Sequence, residues 1–209
     1  MSTFRFAIMG AGNIAHQFCD AVTLVEDCEV SAIASKDLGR AQKFAEECSV
    51  AHAYDNYEQM LIEEKPDCVY IAVTPNDHFR LTMLCLEHHV PVLCDKAMFT
   101  NSAEAKAVFE KAEKDQTFVM EAMWSRFLPA VNQAKKWAAE GKIGRLEALQ
   151  GRIGFLAPEG ADNRYHSPLL CGGAATDITV YAYEIATWLV NEPVRKTYAA
   201  ANLDQTGVD

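Results

Sequence analysis

The sequence Gly10-Ala11-Gly12-Asn13-Ile14-Ala15 joins a short β-like run, residues 4–9, to a segment with helical spacing of its apolar residues, 14–25. In this G-x-G-x-x-A pattern the first glycine permits a tight turn, the second lets a pyrophosphate approach the backbone, and the small third residue lets the helix lie close to the strand. The N-terminus of the helix attracts the anion. Glycine turns also join strands to helices for purely structural reasons, but a strand before the pattern and a helix after it favour dinucleotide binding.

The segments around this turn alternate between β-rich runs and amphipathic helical stretches up to residue 120. The further predicted strands are residues 29–34, 69–73, 90–94 and 117–120. The predicted helices after the first are residues 38–47, 57–63, 81–88 and 102–114. Strands that alternate with helices in this way form right-handed βαβ units, so the predicted fold class is α/β, with a Rossmann-type doubly wound parallel sheet.

The pattern changes after residue 120, where we place a boundary between a dinucleotide-binding domain, residues 1–120, and a second domain, residues 121–209. Alternation of apolar and polar residues in the second domain is typical of antiparallel strands with one exposed face. Its predicted helices are residues 129–140 and 172–190, and its predicted strands are residues 146–155 and 194–201.

Two strands are too few for a stable sheet, because an isolated pair is marginal in water and leaves unpaired edges. We therefore expect the second domain to be an incomplete α+β domain with an antiparallel sheet. Either the chain is a fragment, or a homo-oligomer completes the sheet by self-association. The polar, turn-like ending at residues 204–209 favours the fragment.

Composition argues against several classes of protein. Of the 209 residues, 50% are apolar and 23% are charged, which is typical of a folded globular chain. The net charge of −10 argues against binding to a nucleic acid backbone as the main activity. The apolar runs are far shorter than a membrane span, and no signal peptide precedes the first strand, so we expect a cytoplasmic protein that binds no membrane.

The cysteines and histidines do not predict a metal site. The seven cysteines are odd in number and form no Cys-x-x-Cys pair, which favours reduced, buried thiols over disulfides. The six histidines show no spacing typical of metal ligands. Cys94 ends an apolar strand, so an inert core thiol is favoured there over a nucleophile.

The residues after the second predicted strand indicate which dinucleotide binds. An NAD site has an acidic residue there to bind the ribose 2′-hydroxyl. This chain instead has Ser35 followed by Lys36, with Arg40 one helical turn further on. A hydroxyl and two cations suit a 2′-phosphate, which favours NADP over NAD as the cofactor. The alternative is that Lys36 and Arg40 are ordinary solvated charges beside Asp37.

Polar residues follow three predicted strands at the edge of the sheet where ligands bind in this architecture. They are Thr74-Pro75-Asn76-Asp77-His78, Asp95-Lys96 and Glu121-Ala122-Met123-Trp124-Ser125-Arg126. Lys96 would lie near the nicotinamide of a bound dinucleotide, where its ammonium can hold a substrate hydroxyl and help to move its proton. The alternative is a surface lysine on a loop.

These motifs together resemble the Gfo/Idh/MocA family of NAD(P)-dependent oxidoreductases, named for glucose–fructose oxidoreductase and inositol dehydrogenase, and within it the branch of dihydrodiol and D-xylose dehydrogenases. The resemblance covers the whole chain. Its motifs are the glycine turn at residues 10–15, Ala34-Ser35-Lys36-Asp37, Thr74-Pro75-Asn76, Asp95-Lys96, Met120-Glu121-Ala122-Met123-Trp124-Ser125-Arg126-Phe127-Leu128-Pro129, and Gly172-Gly173-Ala174 leading to Asp177 and Tyr181. The chain departs from the family at Asp95 and Ala97, which replace a glutamate and a proline.

The resemblance implies a Rossmann domain followed by an α+β domain with a mostly antiparallel sheet, and a sugar, cyclic polyol or vicinal diol as substrate. It implies catalytic roles for Lys96, Asp177 and Tyr181. Independently of it, residues four apart on a helix share a face, so Asp177 and Tyr181 can point into one pocket. The predicted substrate contacts are Trp124, Phe155 and Arg164. The predicted cofactor contacts are Gly10, Gly12, Asn13, Ile14, Ser35, Lys36, Arg40, Thr74, Pro75, Asn76, Asp95 and Lys96.

Two other classes of function remain open from the sequence. One is a dinucleotide-binding protein without turnover, acting as a sensor or a partner-binding module. The other is a methyltransferase or flavin protein built on the same glycine turn, which the positions of Lys36 and Lys96 argue against.

Overall fold

A computed structural model describes residues 3–158, 160 and 163–209 of the chain. The chain divides between Ala122 and Met123 into two compact units. That the first unit binds the dinucleotide and the second the substrate stays a prediction.

The first unit is built on one parallel sheet of six strands in the order β3-β2-β1-β4-β5-β6. The strands are β1 Phe4–Met9, β2 Cys28–Ala34, β3 His52–Tyr54, β4 Cys68–Ile71, β5 Val92–Cys94 and β6 Val119–Glu121. The helices between them are α1 Asn13–Val22, α2 Leu38–Cys48, α3 Tyr57–Glu64, α4 Pro75–Glu87 and α5 Ser102–Asp115. The predicted α/β fold with a parallel sheet is confirmed. Because the strand order reverses between β1 and β4, the crevice for a ligand opens beside the carboxyl end of β1.

Apolar side chains cover both faces of this sheet. On one face Ile8 and Ile33 pack under α1 and α2, and on the other Met9 and Ile71 pack under α3 and α4. All four residues of β4 are buried, which explains its continuous apolar sequence. The two layers of helices fix the strand ends, and with them the turns that follow each strand.

The structure corrects the sequence prediction in two places in the first unit. β3 was not predicted, because three residues are too short to show a period of two, and the strand is defined by its pairing with β2. α4 begins at Pro75 rather than at residue 81. Proline is well suited to the first turn of a helix, since it lacks only an N–H that has no partner there.

The second unit is helical where it is regular. After a 3₁₀ turn, Trp124–Phe127, come α6, Pro129–Ala139, and two more 3₁₀ turns, Arg164–His166 and Pro168–Leu170. A π-helical turn, Ala175–Thr179, then runs into α7, Val180–Val190. The predicted start of this helix at residue 172 is wrong, because Gly172 and Gly173 form a close turn. A Cβ on Gly172 would lie 2.5 Å from the carbonyl oxygen of Tyr165, and Gly173 has a φ of +104°.

The predicted strands at residues 146–155 and 194–201 are not strands in the structure, whose described part of the second unit contains no β-ladder. Alternation of polar and apolar residues is a property of one segment, whereas a strand also needs a hydrogen-bonded neighbour. The antiparallel sheet expected here is therefore not seen. Among the residues that the structure describes, no helix has both the length and the apolar character needed to cross a membrane.

Candidate functional site

The glycine turn after β1 lies directly against the chain that follows β4. Gly10 has a φ of +109°, and its N–H donates a 2.8 Å hydrogen bond to the carbonyl oxygen of Ala34. A Cβ on Gly10 would lie 2.6 Å from the carbonyl oxygen of Ala72. Both the backbone angle and the contact require glycine, so this turn is fixed by the sequence.

The start of α1 has the geometry of an anion site. Gly12 is its N-cap in an extended conformation, without a side-chain capping bond, and the first turn contains no acidic residue. The first N–H groups of a helix have no partner within the helix and carry partial positive charge. Ala15 is fully buried, which brings α1 close to the sheet, while Asn13 is exposed and Ile14 half-buried at the helix start.

The end of β2 places a hydroxyl, not a carboxylate, at the predicted ribose position. Ser35 is buried, and its N–H donates to the carbonyl oxygen of Tyr54 at 3.0 Å. The nearby acid, Asp37, is the N-cap of α2 and accepts from the N–H of Arg40 at 2.8 Å. The Arg40 side chain reaches back to the glycine turn, where Nη2 donates to the carbonyl oxygen of Ala11 at 3.2 Å.

Lys36 has a carboxylate partner that the sequence did not predict. Its Nζ lies 2.5 Å from Oδ2 of Asp77, and Arg80 donates to Oδ1 of the same carboxylate at 3.2 Å. Burial alone would raise the pKa of Asp77, but the hydrogen bonds from Lys36 and Arg80 outweigh it and hold that pKa below its usual value. Lys36 is thereby tied to α4, while Arg40 is the cation in contact with the turn.

The first turn of α4 carries the other predicted cofactor contacts at the end of β4. Thr74 is the N-cap of this helix, without a side-chain capping bond. Pro75 is buried, and Asn76 is exposed. The predicted roles of these three residues stay predictions.

Asp95 and Lys96 directly follow β5. The Asp95 N–H donates to the carbonyl oxygen of Ile71 at 2.9 Å, which continues the sheet by one residue, and the Lys96–Ala97 peptide bond is cis. Burial raises the pKa of Asp95, although the N–H and charge of Lys96, the charge of His78 and a hydrogen bond from Tyr70 oppose this. Lys96 is half-buried beside this carboxyl group.

Two residues without a predicted role hold the loop after Lys96. His78 is fully buried, with Nδ1 3.0 Å from the carbonyl oxygen of Ala97 and Nε2 3.0 Å from that of Val73. Glu121, at the end of β6, accepts from the N–H of Met98 at 2.8 Å. The sequence places His78 and Glu121 at strand ends but contains no signal for these contacts, which depend on the tertiary structure.

In the second unit, two of the predicted residues are in direct contact. The indole Nε1 of Trp124 donates to the hydroxyl oxygen of Tyr181 at 2.8 Å, with the ring centroids 5.9 Å apart and the rings at 67°. Next to Trp124 in sequence, Ser125 and Arg126 both bond to the buried carboxylate of Glu184, one turn after Tyr181 on α7. The Trp124–Arg126 turn is therefore fastened to α7 at two points.

Asp177 is paired with Arg164 and lies in the π-helical turn. Nη1 and Nη2 of Arg164 each lie 3.3 Å from Oδ1 of Asp177, and its guanidinium carbon lies 4.0 Å from the ring centroid of Tyr165. Tyr165 in turn meets the ring of Phe155 at 5.3 Å. Asp177, Arg164 and Phe155 thus belong to one cluster. That Asp177 and Tyr181 point into one pocket stays a prediction.

The thiols show no sign of a reactive site. None of the seven cysteines forms a disulfide, and Cys94 is fully buried, which raises the pKa of its thiol well above the usual value. Across residues 3–158, 160 and 163–209, no group of three or more His, Cys, Asp or Glu side chains is arranged to hold a metal ion.

A glycine turn at the switch point of a parallel sheet, followed by an uncapped helix start, defines a dinucleotide-binding α/β protein. The family model of oxidoreductases with an NAD-binding Rossmann fold, Gfo/Idh/MocA, matches residues 4–123, and the model of the C-terminal domain of the same family matches residues 131–209. The chain belongs to the Gfo/Idh/MocA oxidoreductase family.

Named relatives and solved structures agree with this assignment. The chain is 31% identical over 211 residues to trans-1,2-dihydrobenzene-1,2-diol dehydrogenase of Mus musculus, covering 98% of this chain and 62% of the mouse protein. Its fold is similar to that of an NAD-binding protein from Listeria innocua, with a TM-score of 0.81, 22% identity, and coverage of 91% of this chain and 56% of the other. It is also similar to a 3-ketoreductase from Actinomadura kijaniata in complex with TDP-benzene and NADP, with a TM-score of 0.64, 26% identity, and coverage of 69% and 44%. The chain spans about 62% of the length of the curated relatives it matches.

Proposed function

We propose that this chain binds NADP(H) and provides catalytic groups of a dehydrogenase that moves a hydride between the nicotinamide and a carbinol or carbonyl carbon. The observation that carries the proposal is the Gly10 turn, where a Cβ would lie 2.6 Å from the carbonyl oxygen of Ala72, leading into an uncapped helix at Gly12. This cradle suits a pyrophosphate held by backbone N–H groups. The mouse relative supports a vicinal diol as substrate, and a sugar or cyclic polyol is the wider class.

We propose NADP over NAD because of the contacts that the side chains after β2 make. Asp37 accepts a hydrogen bond from the Arg40 N–H as a helix cap, and Ser35 is buried. Arg40, which contacts the Ala11 carbonyl, presents a guanidinium beside the phosphate turn. A planar guanidinium suits a phosphate better than a neutral ribose hydroxyl. NAD is the alternative cofactor, and relative affinity decides between them.

Lys96 is the proposed group that acts on the reacting oxygen. It follows β5 at the carboxyl edge of the sheet, where ligands bind in this architecture, and it is half-buried beside Asp95. The bound nicotinamide supplies the carbon that accepts or donates the hydride. The ammonium of Lys96 hydrogen-bonds to the substrate oxygen and helps its proton to leave or arrive as the carbinol and carbonyl forms interconvert.

Tyr181 and Asp177 are the proposed catalytic groups of the second unit. The Trp124 indole fixes the Tyr181 hydroxyl by donating to its oxygen, so that the phenol can exchange a proton with substrate in one orientation. Arg164 binds Asp177, and we propose that it orients this carboxylate in addition to its predicted contact with the substrate. Trp124 and Phe155 are the proposed apolar walls.

The second unit is also the proposed site of self-association. We propose that residues 146–155 and 194–201 become strands of an antiparallel sheet when they pair with further strands, from the same longer protein or from a second copy in a homo-oligomer. The resemblance to the family supports this sheet, since it implies a mostly antiparallel sheet in the second domain, and the family's C-terminal model matches residues 131–209. A cytoplasmic location is proposed with it.

The test is an assay of NADP reduction at 340 nm with trans-dihydrodiols, aldoses and cyclic polyols, alongside fluorescence titration of NADPH. We expect Lys96→Ala to abolish turnover while NADPH affinity stays within a few-fold, because the phosphate turn holds the cofactor. A Lys96→Ala variant with undiminished kcat would overturn the catalytic role. Tight NADPH binding without turnover on any of these substrates would favour a binding protein instead.

A further inference from the structure

One peptide group next to Lys96 is held by side chains at both of its ends. The carbonyl oxygen of Ala97 lies 3.0 Å from Nδ1 of His78, and the N–H of Met98 donates to Oε1 of Glu121 at 2.8 Å. These two atoms belong to the same Ala97–Met98 peptide unit. His78 from α4 and Glu121 from the end of β6 therefore contact the two ends of one peptide in the loop that begins at Lys96, and we call this pair of contacts the clamp.

His78 reaches the Ala97 carbonyl from a buried position in α4. The side chain is fully buried, and its second ring nitrogen, Nε2, lies 3.0 Å from the carbonyl oxygen of Val73 at the end of β4. A carbonyl oxygen only accepts, so a neutral His78 ring, which carries one N–H, donates to one of these two oxygens, whereas a protonated ring donates to both. His78 therefore lies between the loop after β5 and the chain leaving β4, with one ring nitrogen within hydrogen-bond distance of each.

The Glu121 side fixes the other end of the same peptide. Glu121 is paired with Cys94 across β5 and β6, so its backbone position is set by the sheet. Met98 is buried, and its N–H would lose its hydrogen bond if the Glu121 side chain were truncated. A buried donor without an acceptor is costly, so the peptide would turn to find another partner.

We propose that His78 and Glu121 are positioning residues that hold the Lys96 ammonium in its working place by clamping the Ala97–Met98 peptide. Lys96 is one residue before this peptide, so a rotation of the peptide moves its backbone and its side chain. A displacement of about 1 Å at a catalytic group can cost about a hundredfold in rate. This inference rests on the proposed function, because Lys96 is the group being positioned.

Glu121 provides a matched pair of variants. Glu121→Gln removes the charge but keeps an oxygen that can accept from Met98, whereas Glu121→Ala removes the charge and the acceptor. A difference between the two variants therefore reports the hydrogen bond and not the charge. His78→Leu is the second probe, with thermal unfolding as a check because this side chain is buried.

The experiment measures three quantities on each variant of the chain. They are hydrogen exchange at the Met98 amide, kcat and KM with NADP and an active substrate, and the rate of reductive methylation of Lys96 relative to Lys106 on α5, read by mass spectrometry. We expect Glu121→Ala to expose the Met98 amide, to lower kcat by about tenfold or more with little change in KM for NADP, and to change the Lys96 labelling rate several-fold. Glu121→Gln should stay within about threefold of the wild type in all three.

Labelling separates this inference from the proposed function, since it needs no turnover. If Glu121→Ala exposes the Met98 amide but leaves both kcat and the Lys96 labelling rate as in Glu121→Gln, the clamp is only structural and the positioning role is wrong. If the labelling rate changes as expected while Lys96→Ala keeps full kcat, the clamp holds Lys96 but the proposed catalytic function is wrong.

Discussion

The indole N–H of Trp124 donates a 2.8 Å hydrogen bond to the hydroxyl oxygen of Tyr181, which joins the turn at the start of the second unit to the first turn of α7. Trp124 is more than half exposed, yet its N–H is committed to this one partner. The bond and the edge-to-face ring contact together select one orientation of the phenol.

A double-mutant cycle measures this contact. Trp124→Phe and Tyr181→Phe each keep an aromatic ring and remove one end of the hydrogen bond, so the double variant should lose less stability than the sum of the two singles. We expect a coupling free energy of about 0.5–1.5 kcal/mol. Urea unfolding of the four proteins gives this value. Strictly additive losses would mean that the two side chains do not interact in solution.

The two glycines of the phosphate turn should respond differently to alanine. Gly10→Ala places a Cβ 2.6 Å from the carbonyl oxygen of Ala72 at a φ of +109°, and we expect a loss of about 1–3 kcal/mol in the free energy of unfolding. Gly12→Ala has more room, since the nearest of the neighbouring atoms is 3.9 Å away, and its backbone is extended. It should keep the fold but weaken NADPH binding by tenfold or more, because the methyl group lies where the pyrophosphate approaches.

Thermal unfolding and NADPH titration of both variants check this pair. A Gly12→Ala protein that binds NADPH as the wild type does would place the pyrophosphate elsewhere. A fully stable Gly10→Ala protein would contradict the turn geometry.

Cofactor preference should depend on the two cations after β2. Arg40→Ala should weaken NADPH binding more than NADH binding, by about tenfold, because it removes a guanidinium from beside the proposed 2′-phosphate. Lys36→Ala should also reduce the preference, since Lys36 lies at the same edge in an ion pair with Asp77. Lys43→Ala, an exposed lysine further along α2, is the control and should change neither affinity. If Arg40→Ala lost affinity equally for NADPH and NADH, Arg40 would contact the pyrophosphate and not the 2′-phosphate.

Stability should depend on pH through His16 near the phosphate turn. A hydrogen bond to Glu47, 3.0 Å from Nε2, and one to the carbonyl oxygen of Gly12 raise the pKa of His16 above its usual 6.5. Since the folded pKa is the higher one, this contribution to stability is complete below pH 6.5 and is lost as the pH rises through the folded value. NMR titration of His16 should give a midpoint above 6.5 that falls in Glu47→Ala. An unchanged midpoint would show that the pair does not form.

Much of the first unit can be predicted from the sequence because its signals are local. The run at residues 4–9 and the glycine turn together predict a strand, a phosphate turn and a helix, and β1 and α1 follow in that order. Strands buried on both faces are apolar throughout, so the run at residues 69–73 predicts a strand, and the structure has β4 at Cys68–Ile71. The short strand β3 was missed because its identity depends on pairing and not on its own three residues.

The side-chain contacts of the candidate site could not be predicted, because they join residues that are far apart in the sequence. Lys36 pairs with Asp77, forty-one residues away, and His78 contacts the carbonyl of Ala97, nineteen residues away. Neither partner leaves a periodic or spaced pattern in the sequence. The segments 146–155 and 194–201 are not strands in this structure for a related reason, since alternation within a segment does not supply the neighbour that a ladder needs.

A fluorescence titration of the wild-type chain with NADPH and with NADH, repeated on Gly12→Ala, asks whether the glycine turn binds the cofactor and which dinucleotide it prefers. We expect saturable binding at one site, a lower Kd for NADPH than for NADH, and a loss of tenfold or more in the affinity of Gly12→Ala for both. Absence of saturable binding, or NADH bound at least as tightly as NADPH by the wild-type chain, would show that the proposed cofactor site is wrong.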